Sequence, residues 1–106
     1  MSKKRPERPD RAERRARERA ARSLVRDKEK LARREVGGSE AHPIEVASSA
    51  VVEIRVRSMP CPQCDGSYAI VDHRSAGHGI RPVDVKCNVC GTPRTLWFRI
   101  VEDEPN

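Results

Sequence analysis

Aromatic residues are nearly absent. The chain of 106 residues has one Trp, one Tyr and one Phe. Large rings supply much of the apolar area from which cores and substrate pockets are built, so their scarcity argues against a deep cleft and a self-sufficient core. No apolar run is long enough to cross a bilayer, and the basic start MSKKRPERPDRAERRARERAARS is not followed by the apolar stretch of a secretory signal. The expected setting is a reducing one inside the cell (cytoplasm, nucleoid or nucleus), with no membrane partner. There is no phosphate-cradling glycine loop, no Ser/His/Asp set and no pair of carboxylates placed for acid–base work. No enzyme and no small-molecule substrate are expected. Cysteine is scarce too, at four residues, but its placement is not random.

Charge is plentiful, at 36% of residues, and the net charge is +6. Residues 1–36 hold 15 Lys+Arg against 7 Asp+Glu, a balance of +8. Residues 37–106 hold 7 against 9, a balance of −2. A basic segment joined to a mildly acidic one suggests two parts, the first seeking polyanions.

Residues 1–36 read as a basic, unstructured start followed by a charged helix. Asp10 stands as an N-cap, and helix-forming residues without Gly or Pro run from there to Val36, before Gly37 and Gly38. A helix over roughly residues 10 to 36 would be about 40 Å long. Acid-first pairs Glu13/Arg17, Glu18/Arg22 and Glu29/Arg33 stand at i,i+4, where ion pairs form on a helix. At about 100° per residue, Arg8, Arg11, Arg15, Arg19, Arg22, Arg26, Lys30 and Arg33 share one stripe. The opposite face carries Asp10, Glu13, Ala20, Leu24, Asp27, Leu31 and Glu35, too little apolar mass to dock firmly. Such a helix is either a solvated, salt-bridged arm or a cationic contact surface.

Residues 37–50 read as a linker, in which IEV has the makings of a short edge strand. Residues 51–101 read as an all-β domain of three to four antiparallel strands, with no helix. In VVEIRVR, residues 51–57, Val52, Ile54 and Val56 alternate with Glu53, Arg55 and Arg57, the mark of a half-buried strand. Strands are also expected at residues 67–73, 82–87 and 94–101, with RSAGHG, residues 74–79, at a hairpin tip. Residues 102–106 form an acidic tail.

The cysteines come as two Cys-x-x-Cys hooks, CPQC (Cys61, Cys64) and CNVC (Cys87, Cys90), 22 residues apart. Each hook curls two sulfurs around one side of an ion, and the spacer allows a strand, a turn and a returning strand. Gly91 follows the second hook, where a tight turn needs positive φ; Asp65 holds that place after the first and tolerates it better than most residues. Two other chemistries use similar hooks. Rubredoxin-like iron sites surround the metal with several aromatics, whereas this chain has only Tyr68, Trp97 and Phe98, and a glutaredoxin-type redox pair leaves the second hook unexplained.

The stretch MPCPQCDGSY…VKCNVCGT resembles a zinc ribbon, the small β-domain with two zinc knuckles found in transcription factors, RNA polymerase subunits, ribosomal proteins and topoisomerase tails. The resemblance covers roughly half of the chain. It implies one structural Zn2+ on Cys61, Cys64, Cys87 and Cys90, with no open coordination position for catalysis. It also implies service to nucleic acid or to the transcription and translation machinery. With four thiolates around zinc, the charge of residues 37–106 falls to about −4, so phosphate affinity belongs to the helical arm. The expected partner is DNA or RNA, met by the Arg stripe, or an acidic protein of that machinery on which the helix docks. Trp97 and Arg99 should face outward if Leu96, Phe98 and Ile100 face inward, with Arg55 and Arg57 on the same surface, a place for a stacked base. His73, Arg74, His78 and Arg81 surround the hairpin tip, either as a probing fingertip or as a solvated polar turn.

Overall fold

The computed structural model describes residues 10–101. In chain order the elements are α1 (Arg11–Arg34), β1 (Ile44–Val46), α2 (Ser49–Ser58), β2 (Tyr68–His73), β3 (Ile80–Cys87) and β4 (Pro93–Ile100).

Helix α1 has 24 residues, about 36 Å. Asp10 caps it, its carboxylate accepting from the Glu13 N–H at 2.8 Å. That bond satisfies one of the orphan donors of the first turn. Arg33 and Arg34 occupy the last turn, where cations meet the negative end of the helix dipole. The chain then turns at Gly37, whose φ of +89° places it in the left-handed region.

One mixed sheet follows, in the order β1-β4-β3-β2. β2, β3 and β4 are antiparallel neighbours, whereas β1 runs parallel to β4, pairing Ile44, Glu45 and Val46 with Phe98, Arg99 and Ile100. The expected all-antiparallel ribbon is therefore corrected: the IEV edge strand forms, but the sheet is mixed. The tip lies where residues 74–79 place it, between β2 and β3, with Gly77, His78 and Gly79 all at positive φ. A register shift between Ile70 and Asp72 turns Val71 out to solvent.

The second correction concerns residues 51–57. They form not a strand but the middle of α2. Val52 and Val56 are four apart, so both the two-residue and the 3.6-residue periods bury them; only Ile54 distinguishes the two. It is 69% exposed, on the far side of the helix, while Val52 and Val56 are fully buried. Tertiary context decides this, because β-branched residues favour strands only where a pleated neighbour is available. β1 already occupies the β4 edge, and the inner face of the sheet needs a cover. Val52 and Val56 provide it, packing in one cluster with Val83, Val85, Leu96, Phe98, Tyr68, Ile44, Val46, Cys61 and Cys87.

A pair of substitutions checks this assignment. Ile54→Asp should shift stability by no more than about 0.5 kcal/mol. Val56→Asp buries a charge against Phe98 and should prevent folding at room temperature. Similar losses in a urea titration of both variants would restore the strand.

Candidate metal centre

The two hooks are built alike. After each first cysteine the chain folds back, and the Asp65 N–H donates to the Cys61 carbonyl at 2.7 Å, as the Gly91 N–H donates to the Cys87 carbonyl at 3.0 Å. Each turn closes through a left-handed residue, Asp65 at φ +62° and Gly91 at φ +75°, as their placement after the hooks predicts. Backbone bonds seal both: Cys61 N–H to the Gly66 carbonyl at 2.8 Å, and Cys87 N–H to the Thr92 carbonyl at 3.0 Å. The β2–β3 hairpin brings the hooks face to face, because β3 runs directly into the second one.

All four sulfurs lie within 4.8 Å of one another. Cys61 and Cys90 Sγ are 3.8 Å apart, and Cys64 and Cys87 Sγ 3.4 Å. A disulfide needs about 2.05 Å, so these are free thiols. A metal with four bonds of about 2.3 Å to sulfur sets neighbouring sulfurs about 3.8 Å apart. The cluster therefore fits one ion. Its surroundings fit as well. A Cβ on Gly66 would come 2.9 Å from Cys87 Sγ, so only glycine lets the first hook close over the second. Donors aim at the sulfurs: Gly66 N–H to Cys64 Sγ at 3.4 Å, and Val89 and Cys90 N–H to Cys87 Sγ at 3.3 and 3.5 Å. The Thr92 hydroxyl is 3.0 Å from Cys90 Sγ. Such donors stabilise thiolate charge.

The thiols by themselves do not ionise together. Hydrogen bonds from Thr92 draw Cys90 down to about 6. Those from the Cys90 and Val89 N–H groups lower Cys87. The Gly66 N–H pulls Cys64 down, but its sulfur neighbours Cys87, Cys90 and Cys61, with burial, push it up to about 12. One cluster thus holds one thiol more acidic than usual and one much less so, because like charges packed together cannot all form. A divalent cation removes that conflict, so metal uptake must expel protons. Because hydrogen bonds already favour the Cys90 and Cys87 thiolates, calorimetry in buffers of different ionisation enthalpy should count fewer than four protons per metal.

Sequence reasoning missed the connection between α1 and this centre. Gln63, inside the first hook, donates to the Val25 carbonyl at 3.0 Å and to Glu29 at 2.6 Å. Lys28 reaches back to the Gln63 carbonyl at 3.3 Å. Glu29 also takes an ion pair from Arg94, whose Nε donates to the Tyr68 hydroxyl at 3.0 Å. Burial pushes the Tyr68 phenol up to about 12 despite Arg94, so it stays protonated beside Cys61. The helix is therefore not a free arm: polar bonds rather than an apolar face hold its last turns. Glu29 was expected to pair with Arg33 along the helix, but it turns to Arg94. Among the described residues, no ion pair joins Glu13 to Arg17 or Glu18 to Arg22 either.

Burial works against the Glu29 carboxylate, but Arg94, Gln63 and Arg33 outweigh it and hold its pKa below the usual carboxylate range. Its contribution to stability is present above the unfolded pKa near 4.5 and is lost as pH falls through the lower folded value. Glu29→Ala leaves the Arg94 guanidinium, 8% exposed, without its ion pair, and should cost about 1–3 kcal/mol. Hydrogen exchange should then quicken in the turns of α1 around Val25–Glu29, with metal stoichiometry unchanged. Exchange as slow as in the parent chain would show that the strut does not hold the helix.

Arg11, Arg15, Arg19, Arg22, Arg26, Lys30 and Arg33 are all exposed on α1, while Arg8 lies outside the described residues. Trp97 is half-buried and Arg99 exposed, the latter paired with Glu45 at 3.0 Å. Arg55 and Arg57 are exposed on α2, which covers the inner face of the sheet, so they do not share a surface with Trp97 and Arg99. At the tip, Arg74 pairs with Asp84 at 2.9 Å and Arg81 donates to Ser75 at 2.7 Å. Among the described residues no helix is long and apolar enough to cross a membrane. Comparison with protein-family models, with curated proteins and with solved structures found no match to this chain.

Proposed function

We propose that the protein is a non-catalytic binding module of the zinc-ribbon kind for nucleic acid. One structural Zn2+ on Cys61, Cys64, Cys87 and Cys90 braces the sheet, and the Arg stripe of α1 engages phosphates. Zinc suits the site because four thiolates satisfy it in a closed tetrahedron and leave no position for substrate. A service to the transcription or translation machinery belongs to the same reading.

One observation carries it. The helix is anchored at its C-terminal end, yet the stripe residues Arg11, Arg15, Arg19, Arg22, Arg26, Lys30 and Arg33 are exposed and form no ion pair among the described residues. A solvated structural helix would be expected to spend its arginines on its own glutamates. A salt-dependent titration with DNA and RNA tests the proposal. Affinity should fall with a log–log slope of about −0.7 to −0.9 per phosphate neutralised, and absence of binding at about 50 mM salt would refute it.

A second reading has its own support. Leu24 and Leu31 are exposed on the side of α1 away from the stripe, which suits an adaptor docking on an acidic protein. Association that survives nuclease treatment would favour that reading.

A further inference from the structure

β1 covers β4 only from Phe98 to Ile100. Before that point, the edge of β4 meets the end of α1 instead, with the Trp97 N–H donating to the Gly37 carbonyl at 2.8 Å. Strand edge and helix enclose a cleft of about 220 Å³, lined by Glu29, Arg33, Gly38, Arg94, Thr95 and Trp97. Thr95 and Trp97 alternate with Leu96 and so share the outer face of the sheet. Directly across from Trp97 on β3 is Pro82, fully buried, so the two residues stand as cross-strand neighbours on that face.

The polar groups divide by availability. Arg94 is committed to Glu29 and Tyr68. Arg33 is exposed, has no ion pair among the described residues, and is the last member of the α1 stripe. The cleft therefore opens onto the end of the basic stripe, with an aromatic wall beside an uncommitted guanidinium.

We propose that this cleft accepts one unpaired nucleobase of a single-stranded nucleic acid, stacked on Trp97, with the adjoining phosphate on Arg33 and the strand continuing along α1. The inference rests on the nucleic-acid reading above and narrows it. Every base offers a π-face, so an indole platform is tolerant of sequence. A paired base has both faces stacked and its edge engaged, and cannot enter without being extruded.

Trp97 is the sole tryptophan, so its emission reports on this cleft alone. The metal-loaded full chain is titrated with labelled DNA and RNA strands of about 10 nucleotides and with a DNA duplex, reading anisotropy and indole emission together. Both single strands should quench the indole over the range in which anisotropy rises, whereas the duplex should raise anisotropy without quenching. Binding of single strands with unchanged emission overturns the inference but leaves the nucleic-acid reading standing. So does equal quenching by the duplex, or quenching confined to DNA or to RNA, which would mean that the sugar and not the base is read. No anisotropy change with any of them removes the broader reading itself.

Trp97→Leu should weaken single-strand binding about 5- to 150-fold, leave duplex binding unchanged, and be largely rescued by Trp97→Phe. Arg33→Gln should lower the single-strand salt slope by about one while the indole is still quenched. Unchanged affinity in Trp97→Leu, with metal retained, overturns the proposal.

Discussion

Cys87→Ser should yield a chain that holds no metal tightly and has lost the fixed side-chain packing of its C-terminal half. Cys87 does two things. Its sulfur accepts from the Val89 and Cys90 N–H groups in the centre, and its side chain is buried in the same cluster as Tyr68, Val85 and Phe98. Cys61, in the first hook, also belongs both to the sulfur cluster and to the buried core, so the metal site and the core share residues. Phe98 is the only phenylalanine and the largest side chain fully buried, and valines make up most of the rest. A core of that size gives a small net stability, whereas structural zinc contributes about 10–16 kcal/mol of apparent binding energy. Folding and metal binding should therefore be one transition. Native mass spectrometry should show one metal per reduced chain and identify zinc or iron by mass. A chelator strong enough to remove it should collapse the dispersion of the amide spectrum. A chelated, reduced chain that keeps the dispersion would show that the sheet stands without the ion.

Replacing Arg15, Arg19, Arg22 and Arg26 together by glutamine should lower the salt slope of nucleic-acid binding by about three, at about 0.7–0.9 for each phosphate no longer neutralised. Affinity at about 50 mM salt should fall on the order of a hundredfold or more. Glutamine keeps nearly the same helix propensity, so α1 should survive. These positions lie N-terminal to the Glu29–Gln63 hydrogen bond, so the anchor to the hook should remain as well. The same four changes leave the adaptor reading a clear outcome. If affinity for nucleic acid is unmoved while capture of an acidic protein disappears, the stripe serves the protein partner.

Several features were legible in the residues alone because their physics is local. Asp10 caps α1 through a bond three residues away, and Asp65 and Gly91 take left-handed φ directly after their hooks. RSAGHG turns where its glycines allow it. The pairing of the hooks was also readable, since two curled dithiol turns joined by a hairpin-length spacer have few other stable uses. Thr92 was within reach of the same reasoning, because a hydroxyl two residues after Cys90 is placed to donate to its sulfur. Other features left no such mark. Glu29 and Arg94 are 65 residues apart, and nothing near either singles out the other. Gln63 was visible only as spacer between two ligands.

By itself the sequence determined the metal-binding hooks, the hairpin between them, the basic stripe and the helix that carries it, all set by spacings of two to four residues or by one turn. Tertiary structure decided what those pieces could not. VVEIRVR satisfies strand and helix periods alike, and it became a helix because the inner face of the sheet had to be covered while its β4 edge was already taken by a parallel strand. The direction of the basic helix was likewise decided by Gln63, Glu29 and Arg94, side chains that meet only after the hooks have closed. Local periodicity carries the first kind of information, and only the packing of distant segments carries the second.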